Sequence, residues 1–332
     1  MSKNTDQYFG SPWLHFSVYL FAFLVGLPLN LLALVIFVGK LRRRAVAVDV
    51  LLLNLTISDL ILLLFLPIRM AEAANDMLWP LPVFLCPFSR FLFFTTIYVT
   101  SLSLATVSVE RFLSVAYPVW YQSRPRLRQA VLVSGACWLL SCSHCSVVYI
   151  VEYSGNSSVN RNTTCYLEFE NYQLSILLPV RLEIAVVLCF VPLLITAYCY
   201  SHLLWLLSKG SRRHLRRRVA GLVAATLLNF LVFCGPFAMS HVVGYIQGHN
   251  PPWRSYVLLL STLNACVDPL VCYFSSSQFQ AQVHGLLRRL TYHPRQKNHV
   301  KLSRKTKSEG QSRKCPGEFD SRDCWAGGQE TW

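Results

Sequence analysis

The sequence predicts an all-α integral membrane protein: a seven-transmembrane helix bundle followed by a short amphipathic helix on the cytoplasmic side. Three observations predict it. Of 332 residues, 53% are hydrophobic and only 14% charged, where soluble globular proteins average about a quarter charged. Seven apolar runs are each long enough to cross a hydrocarbon core, which takes about 20 helical residues. The formal charge of +15 is concentrated in the segments between and after those runs. Intrinsic disorder over most of the length is excluded by the aliphatic and aromatic content. Twelve cysteines, mostly inside apolar runs, do not make a secreted disulfide scaffold.

The first run, residues 14–38, has no Asp, Glu, Lys or Arg; it is too long for a signal-peptide core and lacks a basic leader. The second, 50–68, carries one acid, Asp59. Runs 91–109, 129–151 and 184–207 carry no charge. Run 219–247 holds His241, and run 255–274 carries Asp268. Residues 1–12 form an extracellular N-terminus and 13–275 the bundle. Phe279, Val283, Leu286, Leu287 and Leu290 recur at helical spacing, so 276–290 reads as an amphipathic helix on the membrane surface. Residues 291–332 are expected to be a disordered basic tail. No internal repeat is evident, which weighs against an inverted-repeat transporter.

Orientation follows from basic residues. Of 31 Lys and Arg, 25 lie in the segments following spans 1, 3, 5 and 7. That places the N-terminus outside and the tail in the cytoplasm, and assigns the charge to topology and anionic lipid rather than nucleic acid. Asn156 and Asn162 then head glycosylation sequons on the outer side. Cys86 and Cys165 lie on the oxidising side and are the expected disulfide pair.

Each span also carries a landmark: Asn30; Leu53-Asn54-Leu55 with Ser58-Asp59; Glu110-Arg111-Phe112; Trp138; Pro192 with Tyr200; Phe233-Cys234-Gly235-Pro236; and Asp268-Pro269. In this order they resemble the rhodopsin-like G-protein-coupled receptors over roughly residues 13–290. Three segments are similar to the free fatty acid receptors within that group: the stretch from Val46 to Leu55, Leu178-Pro179-Val180-Arg181-Leu182-Glu183, and Ser240-His241-Val242-Val243-Gly244-Tyr245.

Ionisable groups near membrane depth are costly and are functional candidates by default. Arg181 and Arg254 sit at the outer ends of spans 5 and 7, and His144 and His241 in the outer halves of spans 4 and 6. A bundle brings them toward one cavity, and the planar Arg fork matches a carboxylate. Singly, each Arg reads equally well as a snorkelling helix-end side chain, and His144 as a satisfied intramembrane histidine. The resemblance assigns Arg181, Arg254, His144 and His241 to the carboxylate of a short-chain fatty acid such as acetate, propionate or butyrate, with Phe94 on the wall. Glu168 is a candidate partner that restrains one Arg in the empty site.

Phe94 and Arg111 are 17 residues apart, about 25 Å of helix, so ligand and output need a bistable bundle between them. The resemblance makes Glu110, Arg111, Tyr200, Asp268 and Pro269 the G-protein switch, with Arg111 released from Glu110 on activation. It makes Asp59, Thr100 and Asn264, with Asp268, a midplane cluster that holds a sodium ion in many relatives; no other cofactor is expected. The inner end of span 6 is basic (Arg216, Arg217, Arg218), so it offers Arg111 no acidic partner. Cys234 replaces the usual Trp before the span 6 proline, and Cys272 stands where the group normally has Tyr, with Tyr273 next. The implied partners are an inhibitory-class heterotrimeric G protein, arrestin and receptor kinases, with Ser303, Thr306, Ser308 and Ser312 as candidate phosphorylation sites. The implied location is the plasma membrane.

Other readings stay open at this level: a receptor for another small anion or a longer fatty acid, and more remotely a transporter or channel. No H-E-x-x-H or G-x-S-x-G pattern is present, and the protein is not expected to be an enzyme. Cys142-Ser143-His144-Cys145 lacks a second ligand pair, so no metal site is expected there.

Overall fold

A computed structural model describes residues 11–43, 45–82, 84–123, 126–154, 165, 171–208 and 213–291. The chain divides into Met1–Arg288, which holds the bundle, and Arg289–Trp332, of which only the first three residues, the end of a helix, are described. The sequons at Asn156 and Asn162, Glu168 and the tail sites lie outside the described residues.

Seven helices among the described residues are long and apolar enough to cross a membrane. They are α1 (Pro12–Arg43), α2 (Ala47–Ala74), α3 (Leu85–Ala116) and α4 (Arg126–Ser154), then α5 (Asn171–Ala185 continued by Val191–Ser208), α6 (Arg213–Leu228 continued by Gly235–Gln247) and α7 (Arg254–Ser261 continued by Asn264–Ser275). A short helix, Pro118–Gln122, follows α3, and α8 (Ser277–Thr291) follows α7. The end of the bundle bearing Cys86 and Cys165 is called here the disulfide end; the opposite one, bearing Arg42, Arg111 and Arg217, the basic end.

Several helices run past the apolar core that betrays them in sequence. At the disulfide end α2 takes in Arg69 and Glu72, α3 takes in Arg90, and α5 takes in Arg181. These charges therefore sit on regular helix, held at fixed positions, and not on loops.

Lipid is as apolar as Leu, so the helices associate through close packing and interhelical hydrogen bonds. The landmarks supply both. Asn30 Nδ2 donates to the Ala265 carbonyl at 2.8 Å, joining α1 to α7. Asn54 donates to Ser103 Oγ and accepts from Trp138 Nε1, each at 2.8 Å, joining α2, α3 and α4. A Cβ at Gly26 would stand 2.9 Å from Leu63, so glycine there lets α1 and α2 approach. Helix α3 packs against α2, α4 and α5 and forms the centre of the bundle.

Two helices widen near a proline. Residues Val186–Phe190 and Asn229–Cys234 form π-helical turns, ahead of Pro192 and Pro236. Proline removes one backbone donor and crowds the carbonyl four residues earlier, and a wider turn relieves both. In α6 the adjustment needs Gly235, whose Cβ would stand 2.9 Å from the Phe230 carbonyl oxygen. Helix α7 breaks at Thr262–Leu263, where the amides bond three residues back, and Ser261 Oγ donates to the Phe233 carbonyl at 2.7 Å.

Candidate functional site

At the disulfide end a pocket of about 390 Å³, mouth included, opens between α3, α4, α5, α6 and α7. Arg181, His241, Arg254 and Phe94 line it, together with Tyr98, Arg90, Phe91 and Tyr149. Four of the residues expected from sequence thus share one cavity.

The polar side has a defined order. Arg254 Nη1 lies 2.9 Å from His241 Nδ1, and His241 Nε2 lies 3.1 Å from Tyr98 Oη. Arginine has donors only, so His241 Nδ1 accepts and the ring proton sits on Nε2. Tyr98 Oη then accepts from the imidazole, and its own proton is available to a ligand. Arg181, only 3% exposed, donates to Asn250 Oδ1 at 2.8 Å, which ties α5 to the segment between α6 and α7.

The apolar side is a stack. Phe94 lies parallel to Phe237 with centroids 6.0 Å apart, and Phe237 meets the His241 ring edge-on at 4.7 Å. The Arg254 guanidinium sits 5.2 Å over Phe237, a cation–π contact that fixes its plane. Of this stack Phe94 lines the pocket, and Phe237 packs against the Phe94 and His241 rings.

His144 takes another place. It does not line the pocket; its Nδ1 donates to the Leu140 carbonyl at 2.8 Å and its Nε2 lies 3.3 Å from Glu183 Oε1. Glu183 is an exposed acid, so this pair stands at the rim of α4 and α5.

Sequence reasoning passed over three participants. Tyr98, Phe94 and Arg90 are spaced by four along α3, which puts them on one face; that spacing is the signal that finds Arg90 and Tyr98 once Phe94 is chosen. Asn250 carries no such signal. Cys86 and Cys165 form the expected disulfide, with Cα atoms 5.8 Å apart.

At mid-bundle, Thr100 Oγ1 donates to Asp59 Oδ1 at 3.4 Å and Asn229 Nδ2 to Asp268 Oδ1 at 2.6 Å. Asn229, also unforeseen, occupies the π turn of α6 and holds Cys234 Sγ at 3.5 Å. Asp59 and Asp268 lie within reach of one another, and both polar atoms of Asn264 are buried without a hydrogen-bond partner among the described residues.

At the basic end the expected Glu110–Arg111 contact is not among the ion pairs of the described residues. Glu110 instead accepts from Tyr121 Oη at 2.8 Å, and Arg111 donates to the Ser275 carbonyl at the end of α7. Burial, then the bond to Glu110, raises the Tyr121 hydroxyl above the usual phenol range, which keeps it a donor. Arg111 is therefore already parted from its neighbouring acid. Tyr200 Oη lies 3.4 Å from Thr226 Oγ1, bridging α5 and α6. Lys40 joins Asp49 at 2.6 Å and Ser276 Oγ at 2.9 Å, and Ser276 Oγ accepts the Phe279 amide, capping α8.

Residues 29–272 match the 7 transmembrane receptor (rhodopsin family) model. Among curated relatives, free fatty acid receptor 3 of Homo sapiens is 63% identical over 99% of this chain and 98% of its own. Free fatty acid receptor 3 of Mus musculus is 68% identical over 86% of this chain and 91% of its own. The chain belongs to the free fatty acid receptors of the rhodopsin family. Free fatty acid receptor 2 of Mus musculus is 44% identical over 79% of this receptor and 81% of its own length. The relatives are receptors, and this receptor is a multi-pass membrane protein of the same kind.

Proposed function

We propose that this receptor is activated by short-chain monocarboxylates, acetate, propionate and butyrate, and signals through an inhibitory-class heterotrimeric G protein. One observation carries the ligand class: Arg181, Arg254 and the His241–Tyr98 pair line one small pocket together with the aromatic rings of Phe91, Phe94 and Tyr149. Two guanidiniums and a phenol donor suit one carboxylate, and the aromatic lining suits a short alkyl chain. The names of the relatives agree with a fatty acid, and G-protein class comes from the resemblance.

Such ligands have about four to six non-hydrogen atoms, which caps binding near 6–9 kcal/mol. Desolvation of the carboxylate moves the expected affinity to roughly tens of micromolar or millimolar. The receptor would thus sense abundant metabolites. In this reading the disulfide end and the N-terminus face outward, and the plasma membrane holds the bundle.

Activation would couple the α3 and α6 walls of the pocket, through the mid-bundle carboxyls, to Arg111 at the basic end. Asp59, Asp268, Asn264 and Thr100 offer carboxylate, amide and hydroxyl oxygens, and this set fits a small hard cation such as sodium. A bound sodium ion would neutralise part of the paired acidic charge.

The test is a panel of straight-chain carboxylates, one to eight carbons, on cells expressing the receptor, with cyclic AMP read with and without pertussis toxin. The expected result is suppression by propionate that toxin abolishes and that Arg181→Ala and Arg254→Ala abolish at normal surface expression. A propionate response of unchanged potency in both variants would contradict the site. Toxin-resistant suppression would contradict the coupling class alone.

A further inference from the structure

Beside the pocket lies a buried charge cluster that the carboxylate reading leaves unused. Glu72 of α2 is 1% exposed and accepts from two arginines, Arg69 on its own helix and Arg90 on α3. Arg90 Nη2 lies 3.1 and 3.5 Å from the two Glu72 oxygens and also donates to the Cys165 carbonyl at 3.2 Å. Arg69 is directed away from the pocket: its Nη2 reaches Tyr19 Oη at 3.5 Å, and its guanidinium sits 5.8 Å from the rings of Tyr19 and Phe93. Arg90, in contrast, lines the pocket.

Three arginines therefore line the pocket, Arg181, Arg254 and Arg90. Were all three equally open to ligand, a molecule with two carboxylates would be favoured over one with a single carboxylate and an apolar tail. A buried ion pair is a weak source of net stability, because desolvation offsets most of its Coulomb gain. What Glu72 does supply is local: a carboxylate in contact with Arg90 weakens that guanidinium's pull on a second anion, and holds its plane toward α2 and the Cys165 carbonyl. The wall formed by Pro87, Phe91 and the Arg90 stem is then left to an alkyl chain.

We infer that Glu72 is a specificity-determining residue: by engaging Arg90 within the protein, it restricts the pocket to ligands with one carboxylate. The inference rests on the carboxylate reading of Arg181 and Arg254. Glu72 touches no ligand in this scheme and acts through Arg90.

The experiment compares propionate with succinate, a four-carbon dicarboxylate, as agonists of the full-length receptor in cells, with surface expression measured for every variant. Glu72→Gln keeps the shape and removes the charge. It is expected to raise the potency of succinate relative to propionate by about tenfold, the effect of one added charge-assisted hydrogen bond. The double variant Glu72→Gln with Arg90→Gln is expected to return the ratio to that of the parent. A merely structural role would lower both agonists together and leave the ratio alone. Should Glu72→Gln fail to reach the surface, Glu72→Asp, which retains the charge but shortens the reach to Arg90, is expected to raise the ratio in the same direction. An unchanged ratio in the variant that reaches the surface, or a gain that survives in the double variant, overturns the inference while the parent's propionate response still stands. A parent receptor silent to propionate overturns the carboxylate reading and this inference with it.

Discussion

Arg254 can only donate, and that single restriction orders the whole polar wall. It makes His241 Nδ1 an acceptor, sends the imidazole proton to Tyr98, and leaves the Tyr98 proton for a ligand. Tyr98→Phe removes that donor while keeping the ring, so propionate potency should fall about tenfold with normal surface expression; an unchanged dose–response curve would remove Tyr98 from the site. Arg254→Lys keeps the charge but loses the fork over Phe237 and the His241 contact together. It should behave nearly as Arg254→Ala in the cyclic AMP assay, and recovery of most of the potency would show that only charge matters. Arg181, Arg254 and His241 were legible because basic groups at or near membrane depth stand out, and Phe94 through the family resemblance. Tyr98 sits in the same apolar run as Phe94, and its role depends on which way α3 is rotated toward α6. His144 looked equivalent to His241 by depth, yet the orientation of α4 turns it to Glu183, and depth alone carries no rotation.

The helices show where a regular pattern yields to local sterics. The α6 widening depends on Gly235, packed against the Phe230 carbonyl. Gly235→Ala should lower the thermal stability of the purified receptor by about 1–3 kcal/mol through overpacking. A Cβ at Gly39 meets nothing within 4 Å, so Gly39→Ala should be neutral or gain up to about 1 kcal/mol from helix propensity. Equal effects at the two positions would show that the α6 contact is not tight. At α8, Ser276 caps the helix and holds Lys40. Ser276→Ala should cost about 1 kcal/mol of cap stability, seen as faster amide exchange across residues 277–285; unchanged exchange would deny the cap its role. The existence and order of the spans were legible from apolar run length. Their reach was not, because run length reports only the hydrocarbon core, and Arg69, Glu72 and Arg90 lie on helical turns beyond it.

Across the whole molecule, the disulfide end and the basic end are separate chemical environments joined by α3. Among the described residues, the disulfide end gathers a few buried charges with assigned partners, such as Arg69, Glu72 and Arg90, while the basic end bears Arg42, Arg111, Arg216, Arg217 and Arg218. The sequence made this division readable through charge placement. It did not show that Arg111 would rest on the Ser275 carbonyl while Glu110 held Tyr121, because Glu110 and Arg111 are adjacent in sequence and partner choice depends on how the ends of α3 and α7 meet. The pocket's claim on a carboxylate is tested most directly by binding, independently of signalling: saturation-transfer NMR of propionate with purified receptor, parent against Arg181→Ala and Arg254→Ala. The expected result is a propionate signal from the parent, displaced by butyrate and absent from both variants. A signal of equal strength in all three would contradict the assignment of the carboxylate to these arginines.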